Sequence, residues 1–153
     1  MDKCMTRSVF TTFPRNAGIP IHMSRLQSIA TGIILGIGTI LLHSFLDDSQ
    51  GDDLTSILLV LIGSIYCGFA LLQTSTKATI IELVVASIFI VLGFIGLWFS
   101  SWIIVVGLFL HGIWDLAHHN AKLGLAQIPL WYIPFCATYD WFIAIYLTYQ
   151  IVG

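Results

Sequence analysis

Five apolar stretches, each about as long as a bilayer crossing, decide what this chain can become. They run over residues 27–46 (QSIATGIILGIGTILLHSFL), 55–73, 78–99, 102–119 and 130–151. A helix needs about 20 apolar residues to cross the hydrocarbon core. The stretches therefore predict an all-α integral membrane bundle of five transmembrane helices. Only Ser100 and Ser101 separate the third stretch from the fourth. One long bent helix is the alternative there, but more than about 40 residues would far overshoot a bilayer, which favours a tight turn. Composition agrees: 9% of residues are charged, against about 25% in an ordinary soluble domain. The net charge of −2 gives no sign of a nucleic-acid partner.

Residues 1–25 read as a polar N-terminal extension and residues 26–153 as the five-helix domain. Met1, Met5 and Met23 are the candidate starts. The first apolar run is long for a signal peptide, and no small-residue cleavage site follows it, so it is kept as an anchor. The basic residues are Lys3, Arg7, Arg15, Arg25, Lys77 and Lys122. For five alternating spans all six fall on one side, which the positive-inside rule makes cytoplasmic. The stretch DDSQGDD at 47–53 is read as the opposite loop, with four aspartates and no base. The expected topology is N-terminus inside, C-terminus outside. Cys4, Cys67 and Cys136 show no disulfide framework and no zinc-finger spacing.

Three acidic residues, Glu82, Asp115 and Asp140, fall inside the expected spans. A central charge disfavours insertion by about 2.5–3.5 kcal/mol, so each needs a reason. Singly, Glu82 and Asp115 lie near helix ends and can snorkel, and His118 and His119 can be interfacial. Together they form a pattern. In HGIWDLAHH, residues 111–119, the side chains of His111, Asp115 and His118 fall within about 60° on one helical face, bordered by His119. Glu82 and Asp140 lie at overlapping depths on neighbouring spans, with Tyr66, Cys67, Cys136 and Tyr139 nearby. Such groups belong in the bundle interior, where each has a partner.

Imidazole and carboxylate donors suit zinc, iron or manganese. The expected metal ligands are His111, Asp115, His118, His119 and Asp140, with Glu82 and Asp140 as candidate catalytic carboxylates. A metal-free hydrogen-bonded proton relay and plain polar glue between helices are the competing readings. The spacing matches no single-metal signature such as H-E-x-x-H. His43, near the far end of the first span, reads as interfacial. Trp98, Trp102, Trp131 and Tyr132 read as the aromatic belt, and Trp114 as a wall of the cluster. Gly32, Gly36 and Gly38 are expected to permit close helix packing. Pro134 is tolerable in the first turns of the last helix.

The pattern H-x-x-W-D-x-x-H-H (His111, Trp114, Asp115, His118, His119), the C-x-x-x-D of Cys136 and Asp140, a proline-containing linker between them and Glu82 resemble a family of small bacterial multi-pass membrane proteins of unknown function. The specific likeness covers the C-terminal half of the chain. It implies placement in the bacterial inner (cytoplasmic) membrane and supports the choice of site residues, but implies no reaction.

The residues themselves favour metal-assisted hydrolysis of a lipid or other apolar substrate, with activated water as nucleophile and Glu82 as general base. An oxidative, iron-using variant would share the ligands. Proton or metal-ion transport, in a homo-oligomer, is the rival class. The apolar outer halves of spans two to five argue against a through-pore. A structural subunit is the third reading.

Overall fold

A computed structural model describes residues 23–120 and 123–153. The expected extension apart from Met23–Arg25, and with it Lys3, Arg7 and Arg15, lies outside the described residues, as does Lys122. The described residues form five helices and no strand: α1 Arg25–His43, α2 Asp48–Leu71, α3 Thr76–Phe99, α4 Ser101–Ala117 and α5 Tyr132–Val152.

Local sequence explains the helix starts. Ser24 and Gln27 make a reciprocal capping box at α1. Asp47 accepts the Gln50 N–H at the start of α2, and Ser75 accepts the Ala78 N–H at α3. Ser100 sits in extended backbone and ends α3 while capping α4 through Trp102 N–H. The tight turn is therefore real, and it is one residue long. Pro134 falls at the third position of α5, where its missing N–H leaves no helical bond unmade.

One boundary corrects the reading above. The segment 47–53 is not a loop, because Asp47 caps α2 and residues 48–53 form its opening turns. Carboxylates near a helix N-terminus are favoured by the helix dipole, which lets an acidic stretch fold as helix.

Three of the helices, α1, α2 and α3, are long and apolar enough to cross a membrane, while α4 is a shorter apolar helix of 17 residues. α5 has 21 residues, with Thr138, Asp140 and Gln150 interrupting its apolar run. The helices pack α2 on α3, α4 on both α3 and α5, and α1 on α5. Leu59, Tyr66, Ile104, Leu108, Ile133 and Ile143 fill the core. The outward faces carry exposed Leu35, Leu61, Val84, Ile88 and Phe109, an apolar surface far larger than water-soluble monomers tolerate.

Glycine brings α1 onto α5. A Cβ at Gly32 would lie 2.6 Å from the Phe135 carbonyl oxygen, and one at Gly36 would lie 2.6 Å from Phe142 Cδ1. Gly38 faces open space, so two of the three expected packing glycines are used.

Among the described residues, the four of charged type with no exposure are Glu82, His111, Asp115 and Asp140. His43, expected at the interface, is buried as well. Its ring packs edge-on to Tyr146, because α5 closes over the end of α1.

Candidate metal centre

Glu82, His111, Asp115 and Asp140 separate into two groups, with the Tyr66 ring against the histidine of each. The first joins α4 to α5. His111 and Asp115 sit one turn apart on α4, so both project toward the same neighbour. Cys136 and Asp140 have the same i, i+4 relation on α5 and face them. His111 Nδ1 lies 2.7 Å from Asp140 Oδ2 and 3.7 Å from Asp115 Oδ2. Cys136 Sγ lies 3.8 Å from Asp140 Oδ2 and 3.6 Å from the Tyr132 hydroxyl. Tyr66, on α2, donates its hydroxyl to Asp115 Oδ1.

One donor atom from each of His111, Asp115, Cys136 and Asp140 lies within 4.8 Å of all the others. Ligands around a tetrahedral zinc, with bonds of 2.0–2.3 Å, stand about 3.3–3.8 Å apart. The donors are thus nearly assembled. Three buried atoms of the group, His111 Nε2, Asp115 Oδ2 and Asp140 Oδ1, have no hydrogen-bond partner. Buried polar atoms rarely go unsatisfied. The rings of Phe89 and Tyr66 stand edge-on to the His111 imidazole at 4.7 and 5.0 Å and wall the group off. Two ionised carboxylates beside one neutral imidazole would leave net charge −2 in that enclosure, which needs protons or a cation to balance it. A divalent ion supplies the balance in one step.

The second group joins α3 to the end of α4. Glu82 Oε1 lies 2.8 Å from His118 Nε2 and accepts the Ala126 N–H at 3.1 Å, and Oε2 accepts the Trp114 indole N–H at 3.3 Å. His118 Nδ1 lies 2.9 Å from the Trp114 carbonyl. A carbonyl can only accept, so Nδ1 carries hydrogen. The Nε2–Glu82 contact then holds a second proton, on the imidazole or on the carboxyl. In either case the pair is electrically neutral. Both ring nitrogens of His118 are engaged, which leaves none for an ion in this arrangement.

The expected site residues therefore divide. His111, Asp115 and Asp140 come together as ligand candidates. Glu82 and His118 pair with each other instead. His119 is exposed, beside Arg25, Leu130 and Trp131, because α4 ends at Ala117 and the chain turns away. Tyr139 bonds Thr39 on α1 at 3.0 Å, outside both groups. Cys136 was placed near the cluster from sequence but not among its ligands, although its i, i+4 spacing to Asp140 was the available signal. Nothing in the sequence marks Ala126, whose contribution is a backbone N–H. Trp114 does wall the second group, through its indole and its carbonyl.

Residues 27–152 match the family of unknown function DUF6010. No curated protein and no solved structure matches the chain.

Proposed function

We propose, on the premise that the chain belongs to DUF6010 and that this family has no assigned function, that it is a multi-pass membrane protein built around an intramembrane metal centre. The observation that carries the reading is the meeting of His111, Asp115, Cys136 and Asp140 within 4.8 Å, with three of their atoms unpartnered. All five helices would cross or enter the bilayer, the N-terminus lying on the cytoplasmic side, and the inner membrane of a bacterium is the expected location.

The donor set of imidazole, thiol and carboxylate suits zinc or iron(II). An ion held there would supply Lewis acidity, polarising a carbonyl or phosphoryl oxygen and lowering the pKa of a coordinated water. The reaction class we favour is metal-assisted hydrolysis of a lipid or another apolar substrate. Asp140 is the better placed general base, since its Oδ1 is unpartnered, whereas both oxygens of Glu82 are occupied. Tyr66 fixes Asp115 by hydrogen bond, and Asp140 fixes the ring of His111.

Elemental analysis of the purified full-length protein tests this. The expected result is about one zinc or iron per chain, lost in His111→Ala and in Asp140→Asn. Metal-free wild type, purified without chelator, would overturn it. A proton relay is favoured by one observation: the Tyr66 ring lies between His111, at 5.0 Å, and His118, at 5.6 Å. Proton flux into liposomes from metal-free protein would establish that reading instead.

A further inference from the structure

Arg25, the first residue of α1, and His119, just past the end of α4, meet at one cavity of about 350 Å³. Met23, Leu130 and Trp131 complete its lining. Sites for small ligands usually measure about 300–1,000 Å³. The packing of α1 on α5 explains the meeting. Gly32 brings the backbone of α1 against Phe135. Arg25 stands two turns before Gly32, and Trp131 one turn before Phe135. Helix α4 also packs on α5 and ends at Ala117, which delivers His119 to the same rim.

Charge at this rim is unbalanced. Among the described residues, neither Arg25 nor His119 pairs with a carboxylate. No acidic residue lines the cavity, and none stands in the first turn of α1. The aspartates of 47–53 belong to the other end of the bundle. Residues 1–22 hold Lys3, Arg7 and Arg15 against the single acid Asp2, so the neighbouring sequence is a poor source of a balancing anion. The remaining wall is apolar. Leu130 is 77% exposed, and the Trp131 ring is held 5.7 Å from Tyr132 and 6.2 Å from Phe135.

We infer that this cavity seats the phosphate headgroup of an anionic phospholipid of the surrounding bilayer. The inference rests on the proposed membrane placement and is independent of the metal centre. The Arg25 guanidinium can grip two phosphate oxygens in parallel, and the His119 imidazole keeps an N–H donor in either charge state. Leu130 and Trp131 lie against the glycerol and the first methylenes of the chains, at the level where tryptophan collects in membranes. Basic pockets on the cytoplasmic side attract anionic lipid headgroups. A free phosphate ion would satisfy the guanidinium but leave Leu130 and Trp131 facing water.

The test uses full-length protein in nanodiscs of equal parts phosphatidylglycerol and phosphatidylcholine, with retained lipid counted by native mass spectrometry. One phosphatidylglycerol per chain is expected in preference to phosphatidylcholine, weakened about 5-fold by Arg25→Gln and further by adding His119→Ala. Both side chains are exposed, so these variants keep the fold. Lys77→Gln removes a base from the same end of the bundle but outside the cavity, and should leave the preference unchanged. An equal loss in Lys77→Gln would reduce the effect to general surface charge and overturn the site. Displacement of the lipid by millimolar inorganic phosphate would overturn the choice of a lipid ligand. Entry into pure phosphatidylcholine discs is measured separately. Protein that enters them but shows no preference for phosphatidylglycerol overturns the site alone, whereas protein that does not enter overturns the membrane placement and the site with it.

Discussion

Glu82 commits both carboxylate oxygens to three partners from two segments, the His118 imidazole and Trp114 indole at the end of α4 and the backbone of the connection to α5. Removing one member of such a pair strands the other in an apolar interior. Glu82→Ala should destabilise the protein by about 3–5 kcal/mol, read as a shift in denaturant unfolding. Adding His118→Ala should cost much less than a second independent loss, because the orphaned imidazole goes with it. At the α4–α5 centre, Cys136→Ser should retain the fold but weaken zinc binding, seen by competition with a chromogenic chelator. At this scale the sequence was informative about which residues matter and less so about pairing. Spacing on α4 and α5 brought out His111, Asp115 and Asp140, since i, i+4 geometry follows from helix periodicity alone. The division between His111 and His118 depends on where Tyr66 inserts from α2, a tertiary fact. His119 separated from His118 because α4 stops at Ala117, and helix ends are set by capping and packing rather than by apolar periodicity.

Between helices lipid gives little hydrophobic drive for association, so close backbone approach and hydrogen bonds must hold them. Gly32 and Gly38 make a matched pair for testing this. Gly32→Ala pushes a methyl group against the backbone of α5 and should destabilise by about 1–3 kcal/mol. Gly38→Ala meets nothing and should be neutral or stabilising by up to about 1 kcal/mol. Thermal unfolding in one detergent compares the two. The start of α2 adds a pH dependence. The Gln50 backbone N–H and then the Ser49 hydroxyl hold the Asp47 carboxyl below its ordinary value of 3.8. A lowered folded-state value means that the cap stabilises the helix above 3.8 and that this contribution is lost as pH falls through the lowered value. Wild type should therefore lose thermal stability on acidification in that window, and Asp47→Asn should lose less. The capping role was not legible beforehand, since DDSQGDD has the composition of a loop. Its i→i+3 side-chain bond shows only once α2 is seen to begin there.

For the whole molecule, the two ends differ in charge as well as in chemistry. Arg25 and Lys77 mark one end, and Asp47, Asp48, Asp52 and Asp53 mark the other. With the basic end cytoplasmic, a cysteine at Ser49 should react with membrane-impermeant maleimide on intact cells. One at Gln127 should react only after permeabilisation. Cys4 and Cys67 are replaced by serine for this experiment, and Cys136 is only 2% exposed. The number of helices and most of their ends were legible from apolar run length. Their neighbour relations were not, because five similar helices can be arranged around one another in several ways. One junction restricts that freedom strongly. Ser100 alone joins α3 to α4, so the two helices behave like the arms of tweezers with a one-residue pivot. The Glu82–His118 contact clasps the opposite tips. Any movement that lets a molecule pass between those arms must either undo that clasp or bend a helix, and the first is the softer route.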